Sequence, residues 1–249
     1  MLKINRPFLL VFLIALAVAV FLAVLSPAPA TTSKPKALPA PQRAGEEITY
    51  DVKMGNIYLG RAKFKYPGRV KLGNQELNLL VFETKVANFW DIENIYSDPQ
   101  TYLPVKIERD ISGFLKKERI TEEYDQKNYR VTITKNNGRK EPEELLIKKD
   151  EPIHNAILFP YSVRDIPGLS VGMVFSVNLP IRKLKVKLVS IDNLKLPSGI
   201  YQAFHFESTP KQIAVWISTD ERRIPLKIEG VGVFGYVLIF KDYRLNPAQ

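Results

Sequence analysis

The sequence contains no cysteine and only two histidines, His154 and His205, in 249 residues. Without cysteine there are no disulfides, no thiolate metal sites, no cysteine nucleophile and no lipid attachment at a mature N-terminal cysteine. The histidines are far apart in sequence, which excludes compact zinc sites of the H-E-x-x-H kind. Each reads as a structural, hydrogen-bonded residue, since a general base needs a nucleophile and an orienting partner beside it. No cofactor is expected. Acidic residues are missing from residues 1–44, which carry Lys3, Arg6, Lys34, Lys36 and Arg43. The formal charge of +10 is therefore shared equally between this leading stretch and the rest of the chain. Stripes in which aromatics interleave with cations, as single-strand recognition requires, are also lacking. No nucleic-acid partner is expected.

Phe8–Leu25 is an uninterrupted run of apolar residues. As a helix it would reach about 27 Å, close to the ~30 Å hydrocarbon core of a bilayer. Lys3 and Arg6 precede it and mark a cytoplasmic N-terminus, so everything after Leu25 is expected to be exported. Residues 1–25 thus form either a membrane anchor or a signal sequence cut near Ala28-Pro29-Ala30. If uncleaved, the segment holds the protein on the membrane and places the rest in the periplasm. If cleaved, the rest is soluble there. Residues 26–44, with Pro27, Pro29, Pro35, Pro39 and Pro41, read as a semi-rigid linker.

Residues 45–245 read as one β domain. Ile48, Tyr50 and Val52 alternate with polar neighbours, the period-two mark of a half-buried strand. Further strands are expected at Tyr58–Tyr66, Leu77–Val86, Val105–Ile111, Glu118–Tyr124, Tyr129–Thr134, Met173–Leu179, Leu184–Leu194, Tyr201–Ser208, Ile213–Ser218, Pro225–Glu229 and Val233–Tyr243. Asn137-Gly138 marks a hairpin. One helix is expected over Asp150–Arg164, with Asp150 as cap and Pro160 ending or kinking it. The fold class is mainly β: a large antiparallel curled sheet, barrel or half-barrel, with one short helix.

Gly230-Val231-Gly232-Val233-Phe234-Gly235 matches G-x-G-x-x-G, but strand rather than helix follows, so the glycines read as bulges. Lys183, Lys185 and Lys187 alternate with Leu184, Val186 and Leu188. They form either a solvated strand face or a contact for anionic lipid. Asp91, Glu93, Glu122, Glu123, Glu143 and Glu144 show no pairing at glycosidase separation and read as solvent-facing. The 13 Phe, 11 Tyr and 2 Trp either line a lipid-sized cavity or fill a closed interior.

Gly45-Glu46-Glu47-Ile48-Thr49-Tyr50 followed by Ile57-Tyr58-Leu59-Gly60 resembles the opening of an exported bacterial family, domain of unknown function 3108. Tyr102-Leu103-Pro104, Arg109, Asp150 and Leu196-Pro197-Ser198-Gly199 fit in order. So does Val215-Trp216-Ile217-Ser218-Thr219-Asp220-Glu221-Arg222-Arg223-Ile224-Pro225. The resemblance covers residues 45–243, with Glu151-Pro152-Ile153-His154 and two basic insertions as departures. It implies a β-rich exported domain with no assigned catalytic residues. The strand pattern is also similar to periplasmic lipoprotein carriers, whose curved sheet covers a hydrophobic cavity. The local chemistry of the signature is structural: Asp220 caps a turn and pairs with Arg222 or Arg223, Trp216 plugs the sheet interior, and Pro225 starts an edge strand. The expected function is non-enzymatic, binding of an apolar ligand such as a lipid or of an envelope protein. A solid-cored interaction module and an acid-dependent hydrolase are the alternatives.

Overall fold

The structure is a computed structural model that describes residues 43–246 apart from 114–115, 139–140 and 231–234. The segment 1–25 and nearly all of the linker 26–44 lie outside the described residues. Among the described residues fourteen strands form one sheet. They are β1 (Glu46–Met54), β2 (Ile57–Leu72), β3 (Gln75–Val86), β4 (Phe89–Ser97), β5 (Pro104–Gly113), β6 (Lys116–Asp125), β7 (Arg130–Asn136) and β8 (Glu143–Lys148). After a helix, α1 (Phe159–Arg164), come β9 (Val174–Asn178), β10 (Lys183–Leu196), β11 (Gly199–Thr209), β12 (Ile213–Ser218), β13 (Pro225–Gly230) and β14 (Val237–Leu245).

The order is β8 to β1, then β14 to β9, so two antiparallel meanders are joined where β1 pairs with β14. Strands β8 and β9 are the free edges, and both are short, which limits the unpaired backbone they present. The sheet curls around the connection between those edges. From that connection Ile153, Leu158, Phe159, Tyr161, Val163 and Leu169 are buried against the concave face. Phe159 meets Phe175 and Phe206 at ring-centroid distances of 6.1 and 6.0 Å, and Tyr161 meets Phe64 at 5.7 Å. Period-two alternation supplies the sheet's half of this core. Ile48, Tyr50 and Val52 on β1 and Leu184, Val186 and Leu188 on β10 all point inward.

The plug is fastened by charge. Arg164 on α1 meets Glu46 on β1 in a two-pronged ion pair, Nη1–Oε1 2.6 Å and Nη2–Oε2 2.7 Å, with both side chains 0% exposed. Arg164 Nη2 also donates to the Arg222 carbonyl at 2.8 Å. One residue on, Asp165 accepts from Arg43 and from the Tyr102 hydroxyl. Arg223 donates to the carbonyls of Arg164 and Ile166.

Several sequence expectations are corrected. The strands β4 and β8 were not anticipated. The helix is shorter than Asp150–Arg164: it begins at Phe159, and Pro160 opens it instead of ending it. A proline in the first turn lacks only an N–H that no carbonyl would have accepted. Asp150 is exposed and caps nothing, as the backbone there is not helical. Trp216 does not plug the interior. Val215 and Ile217 face in, and Trp216 lies on the convex face, stacked on His205 at 4.1 Å with Lys227 4.5 Å above its ring. Pro225 opens β13, which is flanked by β12 and β14 and is no edge. Its missing N–H falls at a register shift, and its carbonyl accepts the Tyr50 hydroxyl at 2.7 Å.

Trp216 is nevertheless buried under these neighbours, so Trp216→Ala should destabilise the domain by about 3 kcal/mol in urea titration. Lys185→Ala, on an exposed position, should stay within about 0.5 kcal/mol. Glu46→Gln or Arg164→Met alone should cost about 3–5 kcal/mol, because each leaves a buried charge unpaired. Glu46→Leu combined with Arg164→Met should cost less than the two single losses summed, measured as a double-mutant cycle.

Candidate functional site

Strand β4 reads backward. Asp91 and Glu93, 3% and 7% exposed, point into the curl, while Trp90 and Ile92 point out. Cross-strand register places Phe64, Phe82, Glu93, Arg109, Ile120 and Lys135 in one row of the concave face from β2 to β7. The neighbouring row runs Ala62, Thr84, Asp91, Ile111, Glu118. On the other side Leu80, Ile95, Ile107, Glu122 and Ile133 form a third. Moving away from β1, the lining thus changes from aromatic to charged.

Arg109 organises this patch. Its guanidinium binds both oxygens of Asp91, Nε–Oδ1 being 2.8 Å, and its Nε also lies 3.3 Å from Glu93 Oε1. Glu122 accepts from the Tyr124 hydroxyl, and Glu118 pairs with Lys135. Asp91, Glu93, Glu118 and Glu122 are thus gathered beside Arg109 and Lys135. Burial pushes the Glu93 carboxyl up to about 7; Arg109 opposes the shift, and the charges of Asp91 and Glu122 add to it. Burial likewise raises Glu122, against the Tyr124 hydrogen bond and Arg109. Tyr236, just before β14, is pushed up to about 12 by burial, with the Glu93 charge adding to it.

Two clefts lie elsewhere. One, of about 530 Å³, is bounded by Leu72, Val105, Lys106, Glu123, Arg130 and Leu146. The other, of about 320 Å³, is bounded by Tyr201, Asp220, Arg222, Leu226, Phe240 and Tyr243. Both mix charged with apolar walls, and neither includes Asp91, Glu93 or Arg109. Among the described residues no His, Asp and Glu groups are arranged to hold a metal ion.

The residues singled out in the sequence are dispersed. Arg109 joins the charged patch; Tyr50 is core. Gly60 is required by close packing, since a Cβ there would stand 2.1 Å from the Lys85 carbonyl oxygen. Pro104 opens β5, and its carbonyl accepts from Gln126 at 2.9 Å. Pro197 lies in the tight turn between β10 and β11, whose flanking pair is Leu196 and Gly199. Asp220 caps its turn as expected, accepting the Arg223 N–H at 3.1 Å and the Ser218 hydroxyl at 2.7 Å. Its ion pair is with Arg222, at 3.8 Å, while Arg223 serves the plug. Lys183, Lys185 and Lys187 share an exposed face, but Lys183 pairs with Glu151 at 2.6 Å and Lys187 stands across from Glu207. His154 is structural, its ring accepting the Asn178 N–H at 3.2 Å. Gly230 ends β13 and strand β14 follows from Val237, so no nucleotide-binding helix is formed; residues 231–234 lie outside the described part. The acids Asp91, Glu93 and Glu122 were expected in solvent and instead face inward. The signal available was β4's alternation, which inverts at Trp90-Asp91-Ile92-Glu93.

The raised Glu93 carboxyl makes stability depend on pH. The folded protein holds this proton more tightly than the unfolded chain, so stability falls as pH rises from about 4.5 through about 7. Glu93→Gln should flatten that slope and make the protein more stable than wild type at pH 8, read from urea midpoints across the window.

The fold is similar to a crystal structure titled as a beta-barrel-like protein of domain of unknown function DUF1849 from Brucella abortus. The two are 9% identical, with 81% of this chain and 97% of that chain covered at a TM-score of 0.49. No curated protein matches the chain. The family model described as a protein of unknown function, DUF3108, matches residues 49–239, from β1 into β14. The chain belongs to the DUF3108 family.

Proposed function

We propose that this protein is a non-enzymatic, solid-cored interaction module of the cell envelope. One observation carries the reading: the interior in which a carrier would hold an acyl chain is occupied by the chain's own plug, Ile153 to Leu169, seated on Phe175, Phe206 and Phe64. In the described clefts charged residues stand among the apolar ones, Lys106, Glu123, Asp125 and Arg130 in one and Asp220, Arg222, Lys241 and Asp242 in the other, which is a poor lining for an acyl chain. The charged patch supports the same conclusion, because four carboxylates facing the curl are costly beside hydrocarbon.

An acid-dependent hydrolase is the less supported alternative. Asp91 and Glu93 do face inward together, but both oxygens of Asp91 are engaged by Arg109 and the pair opens on neither described cleft. Export rests on the apolar run Phe8–Leu25 with Lys3 and Arg6 before it, which supports a periplasmic location with the run as inner-membrane anchor. Cleavage near Ala28-Pro29-Ala30 would instead release the domain.

Full-length protein extracted from its own membrane should give, by native mass spectrometry, the mass of the chain without a stoichiometric acyl lipid. A lipid that stays bound at one per chain through purification would restore the carrier.

A further inference from the structure

On the convex face, one pair short of the turns that join β3 to β4 and β5 to β6 and three pairs short of the β1–β2 turn, the register lines up Arg61, Lys85, Trp90, Ser112 and Lys117, with Asp51 of β1 opposite Arg61 on its other side. Arg61 and Lys85 stand directly opposite each other on neighbouring strands, an arrangement of like charges that destabilises a sheet. Among the described residues no carboxylate pairs with Arg61, Lys85 or Lys117. The nearby acids are engaged otherwise: Asp51 with Lys241, Glu83 with Lys65 and Asp110 with Arg119. Lys85 leans over Trp90, 4.8 Å from the ring centroid, and Trp90 is still 50% exposed. At the adjoining hairpin tip Ile57 and Tyr58 are 61% and 53% exposed. Apart from the contact of Lys85 with the Trp90 ring, these cations have no recorded ion pair, and beside them stand aromatic and aliphatic side chains that the packing of the fold leaves exposed.

We infer that this belt is a docking surface for an anionic phospholipid bilayer, with Arg61, Lys85 and Lys117 on the headgroups and Ile57, Tyr58 and Trp90 in the interface. Tryptophan and tyrosine favour that depth, and long basic side chains lay their stems on apolar surface while keeping their charge at the headgroups. Cations near an anionic leaflet each strengthen binding. A soluble anionic partner would use the same charges but has no need of three exposed apolar side chains at the ends of two hairpins. The Lys183, Lys185, Lys187 stripe differs in having Lys183 paired with Glu151 and no aromatic side chain in line with it. The inference rests on the module reading and names its partner.

Trp90 and Trp216 are the only tryptophans, so Trp216→Phe leaves Trp90 as the sole indole reporter. The full-length variant is reconstituted into vesicles of phosphatidylcholine alone, or of phosphatidylcholine with phosphatidylglycerol, each with dibrominated acyl chains. Trp90 emission should be quenched in the phosphatidylglycerol vesicles and recover when salt is raised. In Arg61→Gln/Lys85→Gln/Lys117→Gln the docked fraction should fall by about a hundredfold in equilibrium constant. If Trp216→Phe does not fold, the difference between wild type and Trp90→Phe gives the same signal. Absent quenching, or equal quenching in both vesicle types, would overturn the belt and leave the solid core standing. A stoichiometric co-purified lipid would overturn the module reading without moving this comparison.

Discussion

The buried pair between Glu46 and Arg164 is the constraint on which the remaining architecture depends. A curled sheet with two free edges does not define its own interior; the segment crossing between those edges does, and this pair fixes where the segment lies. Taking two charges out of water costs several kcal/mol each, which is offset only when geometry is good and further hydrogen bonds engage the pair. Here both terminal nitrogens of the guanidinium are used, on the two carboxylate oxygens and the Arg222 carbonyl, with the Tyr161 ring 5.0 Å away, while the buried Nε is left without a hydrogen-bond partner. Two residues in the left-handed region reinforce it, Tyr102 at φ 56° and Arg223 at φ 47°. Each such residue stores roughly 1–3 kcal/mol of strain, and each sends its side chain to the plug.

The sequence revealed the elements whose local pattern agrees with the global fold. Alternation at Ile48, Tyr50, Val52 and at Leu184, Val186, Leu188 predicted both face and depth, and Leu196-Pro197-Ser198-Gly199 predicted its turn. It concealed whatever breaks the pattern. Strand β4 puts acids in and Trp90 out, so by periodicity it resembles no half-buried strand. Trp216 misled in the opposite way: both sides of its strand are apolar, and parity alone does not say which side the sheet curls toward. Glu46 and Arg164 are 118 residues apart, and nothing local to either announces the other.

The two faces of β4 separate two kinds of chemistry by the thickness of one sheet. Inward, the carboxylates Asp91 and Glu93 are held by Arg109. Outward, cations outnumber carboxylates and stand beside exposed aromatic surface. A net charge of +10 conceals this division, because composition sums over faces that never meet. The positive surplus is the part of the division that other molecules encounter.

The seam between β1 and β14 has a consequence for how the chain reaches this state. Every other strand pair joins neighbours in sequence, whereas this one brings together Glu46 and Leu245. Closing a loop of that length costs only about 0.6 kcal/mol more per doubling of length, yet it slows folding because the entropy is lost before the contacts form. Each meander can zip from its own hairpins, but the seam has to wait for both. Glu46 lies on the seam and grips the plug, so the slowest contact in the topology and the pair that defines the interior are completed by the same residue. Until that moment the aromatic wall around Phe159 is open to water, and the half-formed sheet has the unpaired edges of β1 and β14 in addition to those it keeps.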